Sequence, residues 1–210
     1  MAGAFNRKVV LMAMDINMTL EKGNRLEFSL KGSSIQFSNL VRRYCLGQVP
    51  VFAIDKVTFY ENSSAIFDEY LAHRIGQIPV LSESGKATDE VTFTLEAEGP
   101  STVYSRELKS TDSKIKSALD SIPLLKLLEG QNLRLEAKAR RGIGREHAKF
   151  QPGLISYDVL APNEFKFKVE SFLQLDPRDM LGRTADLIIG RCDEMEEKLS
   201  EIKPAKGGKD

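Results

Sequence analysis

From position 10 the chain alternates between apolar and polar residues: Val10, Met12, Met14, Ile16, Met18 and Leu20 on one face, Asp15, Asn17 and Thr19 on the other. A period of two predicts a half-buried strand. The turn formers Glu21-Lys22-Gly23-Asn24 follow, and Leu26, Phe28 and Leu30 then alternate with Arg25, Glu27 and Ser29, so the chain opens as an antiparallel hairpin. After the Gly32-Ser33-Ser34 break, apolar residues at 40, 41, 44 and 45 and a closing Gly47 predict a short amphipathic helix over 38–46. A strand over 51–60 leads into Asn62-Ser63-Ser64, which reads as the cap of a helix over 65–75, with Asp68 and Glu69 near its positive end and Gly76 and Pro79 after it.

The stretch 82–131 is the most polar and least regular, with one clear strand (Val91, Phe93, Leu95) and a short helix expected over 115–119; it reads as a separate subdomain or insertion. Alternation returns at Leu133, Leu135, Ala137 and Ala139, followed by a loop over 141–152 and strands over 154–160 and 165–169. The most informative element is C-terminal. Asp176-Pro177 is a strong helix start, and Leu181, Ala185, Ile188, Cys192, Met195, Leu199 and Ile202 follow in alternating steps of four and three, an a/d seam on a helix of about 27 residues. Leu187 and Ile189 lie off that seam and widen the apolar surface. The tail over 204–210 is poor in apolar residues and is expected to be disordered.

Composition narrows the function. Lys plus Arg and Asp plus Glu number 30 each in 210 residues, so no chain-wide attraction draws this protein to nucleic acid or an anionic membrane, and protein partners are the better expectation. The longest apolar run, 9–14, is far short of the roughly 20 residues of a membrane span. The N-terminus shows no secretory pattern, so a cytoplasmic protein is expected. The two cysteines, Cys45 and Cys192, belong to no CxxC or Cys/His cluster and read as small packed hydrophobes on helix faces.

Catalytic motifs are missing. Gly142-Ile-Gly144-Arg-Glu-His147 starts like a dinucleotide fingerprint but has histidine in place of the third glycine and runs into Pro152. His73 falls on the apolar side of its helix and reads as a structural histidine. Within 134–149, Arg134, Lys138, Arg140, Arg141, Arg145 and Lys149 outnumber Glu136 and Glu146, leaving an excess of four positive charges that is either a solvated face or a docking strip.

Specific strings carry more. Asp55-Lys56-Val57-Thr58-Phe59-Tyr60-Glu61-Asn62-Ser63-Ser64, then Asp68-Glu69-Tyr70-Leu71-Ala72-His73-Arg74-Ile75-Gly76-Gln77-Ile78-Pro79-Val80, resemble the signature of the family formed by the D subunit of archaeal DNA-directed RNA polymerase, which is equivalent to the bacterial alpha and eukaryotic third-largest subunits. Ser38-Asn39-Leu40-Val41-Arg42-Arg43 is similar to the first dimerisation helix of that family, and Gly142-Ile-Gly144-Arg-Glu-His147-Ala-Lys-Phe-Gln-Pro152 to a loop of its archaeal and eukaryotic members. The resemblance, over about 8–203, implies an α+β fold. A discontinuous alpha-type dimerisation domain (1–49 plus 163–203; antiparallel sheet, helices and the long C-terminal helix) would carry an inserted mixed α/β domain (50–162), with 204–210 as a tail.

It also implies a non-catalytic assembly platform for DNA-dependent RNA polymerase. Such a platform pairs with the small L subunit and docks the N and P subunits and the large B subunit, without specific nucleic-acid binding of its own. The expected partner interface is Leu40, Val41, Arg42, Arg43, Tyr44, Leu181, Ala185, Ile188, Cys192, Met195 and Leu199, with Arg42 and Arg43 matching the arginine pair of the alpha motif. The candidate docking loop carries Arg141, Arg145, His147 and Lys149. Many relatives bind an iron-sulfur cluster or zinc through cysteines of the inserted domain, whereas residues 46–191 here contain no cysteine, so no metal or other cofactor is expected. Two rival readings stand beside this one: a self-pairing scaffold using the same seam, and a small enzyme using His73 or His147 as acid and base.

Overall fold

The antiparallel opening is present. In the computed structural model, which describes residues 14–82 and 90–201, β1 (Asp15–Lys22) and β2 (Arg25–Lys31) form a hairpin whose turn places Gly23 at φ +57, a conformation that favours glycine. Val10, Met12, Ile202 and the tail over 204–210 lie outside the described residues. The hairpin does not close a sheet with its sequence neighbours. β2 instead pairs antiparallel with β10 (Glu164–Ser171), which pairs with β9 (Gly153–Ala161), giving the order β1-β2-β10-β9. One face of this sheet presents Leu26, Phe28, Leu30, Phe165, Phe167 and Val169 to a core shared with Cys45, Phe150 and Met180. Phe28 and Phe167 stack across the β2–β10 ladder with ring centroids 4.9 Å apart.

A second sheet, in the order β3-β8-β4-β6, is built from β3 (Pro50–Asn62), β8 (Asn132–Ile143), β4 (Glu90–Glu98) and β6 (Lys109–Ser110); β5 (Ser101–Tyr104) and β7 (Pro123–Leu127) form a separate pair. Its core holds Phe52, Leu71, Ile75, Phe93, Leu95, Leu127 and Leu135. β3 is buried on both faces where the two units meet: Val51 and Ala53 enter the first core, Phe52 and Ile54 the second. A strand walled on both sides reads as a continuous apolar run, as 51–54 does. The stretch 82–131 is therefore not a subdomain of its own, since β4 pairs with β8 along nine residues and completes the second sheet.

Among the described residues, three α-helices flank the sheets: α1 (Ile35–Gly47), α2 (Asp68–Gly76) and α3 (Pro177–Glu201). α1 starts three residues earlier than the apolar spacing suggests, because the Ser34 hydroxyl accepts the Phe37 N–H at 3.2 Å and caps it. α2 starts three residues later than expected. Asn62 does not cap it but donates to the Ile66 carbonyl at 2.9 Å and the Asp68 carboxylate at 2.7 Å, so the polar cluster folds a loop ahead of the helix. The helix expected over 115–119 is replaced by an extended segment. Ser117 bridges Val80, and backbone bonds join Leu81 to Lys116 and Ala118 to Pro79. His73 is exposed rather than buried.

β9 falls within the span expected for the inserted domain, yet its ladder runs to β10 in the terminal sheet. The two units are joined at Ser82. Its hydroxyl accepts the Phe52 N–H at 2.8 Å and donates to the Val80 carbonyl, while its own N–H donates to the Gln174 carbonyl and its carbonyl accepts Arg183. Phe167→Ala removes a fully buried ring from the terminal core and should lower the unfolding free energy of the purified chain by about 3–5 kcal/mol, read from urea denaturation.

Candidate assembly interface

α3 meets its own core along one stripe and leaves another open. Pro177, Met180 and Thr184 are buried and Leu181 and Leu187 pack partly against the first core, so the inward face runs 177, 180, 184, 187 with Leu181 at its margin. Thr184 hydrogen bonds to the Cys45 thiol, whose acidity burial pushes down. The a/d seam is rotated away by about one residue. Leu181, Ala185 and Ile188 are only partly covered or open, and Cys192, Met195 and Leu199 are exposed, the last two at 63% and 56%. The expectation that Cys192 packs as a buried hydrophobe is thus corrected for the single chain, because the helix runs past the body that would cover it.

The open seam meets β1 across an apolar groove of about 310 Å³. Ile16 and Met18 form one wall, Leu181, Ala185 and Ile188 the other, Phe28 and Phe167 the floor, and Val41 of α1 reaches in from the side. A bidentate ion pair closes one end, where the Arg178 guanidinium donates to both Glu21 oxygens at 2.5 and 2.6 Å. The strand that reads as half-buried in the sequence has its apolar face open: Met14 and Ile16 are 54% and 63% exposed. β1 is absent from the expected interface for that reason. Alternation shows which residues share a face, but not that the face lacks a cover.

The other α1 residues point elsewhere. Arg42 is occupied by Asn39, whose side-chain oxygen accepts at 2.9 and 3.2 Å. Leu40, Arg43 and Tyr44 line a different cleft, of about 660 Å³, whose far wall is Gly144, Arg145 and Gln151. The loop over 141–152 is held by charges. Asp55, at a register shift in β3, accepts Lys149 Nζ at 2.6 Å and Arg140 Nε at 2.9 Å, and Arg140 reaches Glu146 at 3.0 Å. Both cations also lie over the buried Phe150 ring, at 4.7 and 5.2 Å. Lys149 is thus spent inside the protein.

Of the other docking candidates, His147 is exposed with Nδ1 accepting the Lys149 N–H, Arg141 lies over the Phe52 ring, and Arg145 is exposed with its N–H on the Gly47 carbonyl. Gly144 is required for this approach, since a Cβ there would lie 2.2 Å from the Leu46 carbonyl oxygen. His73 and His147 lie on separate elements, α2 and this loop, and among the described residues no group of three or more His, Cys, Asp or Glu is arranged to hold a metal ion. Exposed aromatics at Phe67 and Tyr70, ahead of and on α2, escape a reading of the sequence because they interrupt no pattern.

Two antiparallel sheets, a long helix at the chain end and an inserted β-rich unit define a class, and comparison with known proteins supplies it. Residues 46–160 match the family described as the RNA polymerase Rpb3/RpoA insert domain. The chain is 41% identical to the DNA-directed RNA polymerase subunit Rpo3 of Methanocaldococcus jannaschii, over 86% of this chain and 93% of that one. It is 43% identical to the Rpo3 of Pyrococcus furiosus over 70% of this chain and 59% of that one, and 40% identical to the Rpo3 of Archaeoglobus fulgidus over 84% and 74%. The chain spans less than two thirds of the Pyrococcus relative. It belongs to the Rpo3 family of DNA-directed RNA polymerase subunits.

The Asp55 cluster makes a prediction about pH. Lys149 first, then Arg140, holds the Asp55 carboxyl below the usual carboxylate range against a smaller opposing effect of burial. A carboxyl more acidic in the folded than the unfolded chain stabilises above about pH 4 and loses that contribution as pH falls through its lowered folded value. Asp55→Asn should cost about 1–2 kcal/mol at pH 7, and the gap to the parent should close as urea denaturation is repeated at pH values well below 4.

Proposed function

We propose that this chain is a non-catalytic assembly platform of DNA-directed RNA polymerase, pairing through the β1–α3 groove with the small L subunit and docking the N and P subunits and the large B subunit through other faces. One observation carries the reading. A chain of the Rpo3 family leaves a contiguous apolar surface open among the described residues along β1 and the α3 seam, and a partner protein seated there would relieve the water contact at those side chains. Burying that surface yields about 25 cal/mol per Å² before the cost of association. Balanced charge fits a subunit that holds proteins and leaves nucleic acid to others. No helix among the described residues is long and apolar enough to cross a membrane, and we place the subunit in the cytoplasm with the polymerase.

The metal of many relatives does not fit here, since residues 46–191 supply no cysteine ligand, and the platform is proposed to fold and assemble without one. Co-expression with the L subunit followed by mass measurement of the complex tests the pairing. Ile188→Asp puts a charge in the groove wall and should abolish co-purification while the chain itself stays folded by circular dichroism; a normal heterodimer from that variant overturns the seam assignment, and a stable self-pair of the parent favours the scaffold reading. Metal analysis of the purified chain should find neither iron nor zinc in stoichiometric amount.

A further inference from the structure

β1 breaks its period of two at one point. Met18 pairs with Phe28 and Leu20 with Glu27, so Thr19 is an extra residue bulged out of the ladder. An extra residue reverses which side chains face which side of the sheet. Ile16 and Met18 lie opposite the core-facing Leu30 and Phe28, whereas Leu20, which the alternation puts on their face, is turned to the outer side beside Glu27 and is 41% exposed. Glu21 takes the inner side in its place, opposite Leu26, and there it receives the guanidinium of Arg178. The groove therefore ends on a carboxylate where unbroken alternation would put a leucine. Arg178 reaches it from an anchored turn of α3, since its N–H donates to Asp176 Oδ1 at 2.8 Å in the helix cap and both Pro177 and Met180 are buried. β1 is anchored far less: all eight of its residues are exposed, and among the described residues its polar links to the body are the β2 ladder on one edge and this ion pair across the groove.

We propose that the Arg178–Glu21 ion pair, brought together by the Thr19 bulge, is a strap that holds β1 at a set distance from α3, so that the apolar groove stands open in the free chain and ends at a charged stop. Glu21 and Arg178 are positioning residues, which set the walls that a partner enters. Both side chains are about half exposed, at 49% and 57%, and an ion pair in water contributes little to folding, so stability does not account for the exchange of leucine for glutamate. Geometry does. A forked guanidinium on both carboxylate oxygens fixes direction as well as distance. A wall already in place spares the partner the cost of ordering a loose strand, which otherwise lowers the fraction of chains competent to bind. The inference rests on the pairing proposed above and adds the device that prepares the groove for it.

Glu21→Gln and Arg178→Gln each cut the strap. In the full chain, hydrogen exchange read by mass spectrometry should then rise several-fold over residues 15–20, while exchange in β10 and the urea midpoint stay as in the parent. Mixed with the purified L subunit, either variant should associate about two- to five-fold more slowly with little change in dissociation, because fewer free chains hold the groove open. The reversed pair Glu21→Arg/Arg178→Glu should recover most of the parent rate. Deleting Thr19 removes the bulge but leaves Leu20 opposite Glu27 and Glu21 opposite Leu26 in an unbroken ladder, so the strap and the association rate should survive it. Parent-like exchange and association in both single variants overturn the strap while leaving the pairing standing. A change confined to dissociation does the same, since it makes the pair an ordinary part of the contact, and so does a reversed pair that restores nothing or a Thr19 deletion that associates as slowly as Glu21→Gln. If the parent chain forms no heterodimer with L, the pairing reading fails and the strap loses its purpose with it.

Discussion

The ladder between β2 and β10 joins residues 25–31 to residues 164–171, with Leu26 opposite Val169 and Phe28 opposite Phe167. Neither strand has another source for that side of its backbone bonds. Because the ends of the chain must meet, everything between them is looped out as a second unit, and α1 and α3 are brought together over one face of the terminal sheet. The proposed assembly surface depends on the same ladder. Among the described residues β1 pairs only with β2, which leaves its outer edge unpaired there and its apolar face open, and α3 covers the sheet only with its first turns before it runs beyond it.

β3 transmits that arrangement to the inserted unit. Its alternate side chains enter two cores, so the strand can neither shift register nor tilt without opening one of them. The register shift at Asp55 turns a carboxylate toward the 144–151 loop, and two cations from β8 and that loop converge on it. Ser82 and Gln174 tie the other side of the junction with backbone-directed bonds. The two units therefore share a wall, a charge cluster and a hydrogen-bonded joint rather than a linker, which is the rigidity a platform for other proteins requires.

Much of the fold is legible in the sequence. Period-two alternation locates β2, β8 and β10, and alternating steps of four and three locate α3, because each pattern needs only one element and one covered face. The failures have a common cause. The turn-rich cluster Asn62-Ser63-Ser64 satisfies a loop instead of a helix end, and 115–119 pairs with 79–81, a contact no local window contains. In the candidate site, Val41, Leu181, Ala185 and Ile188 are expected from the sequence and do converge, whereas Lys149 reads as available because its partner, Asp55, lies 94 residues away.

The sequence by itself determined most of the elements, the family and the presence of an apolar seam along the last helix. Tertiary structure alone decided which stripe of that helix is internal, 177-180-184-187 with Leu181 at its margin, and which stays open beside it, 185-188 and beyond. The physical reason is that an apolar residue in a sequence states only that it must be covered. What covers it is set by how the distant strands β2 and β10 aim the helix, and that direction exists only once the two ends of the chain have paired.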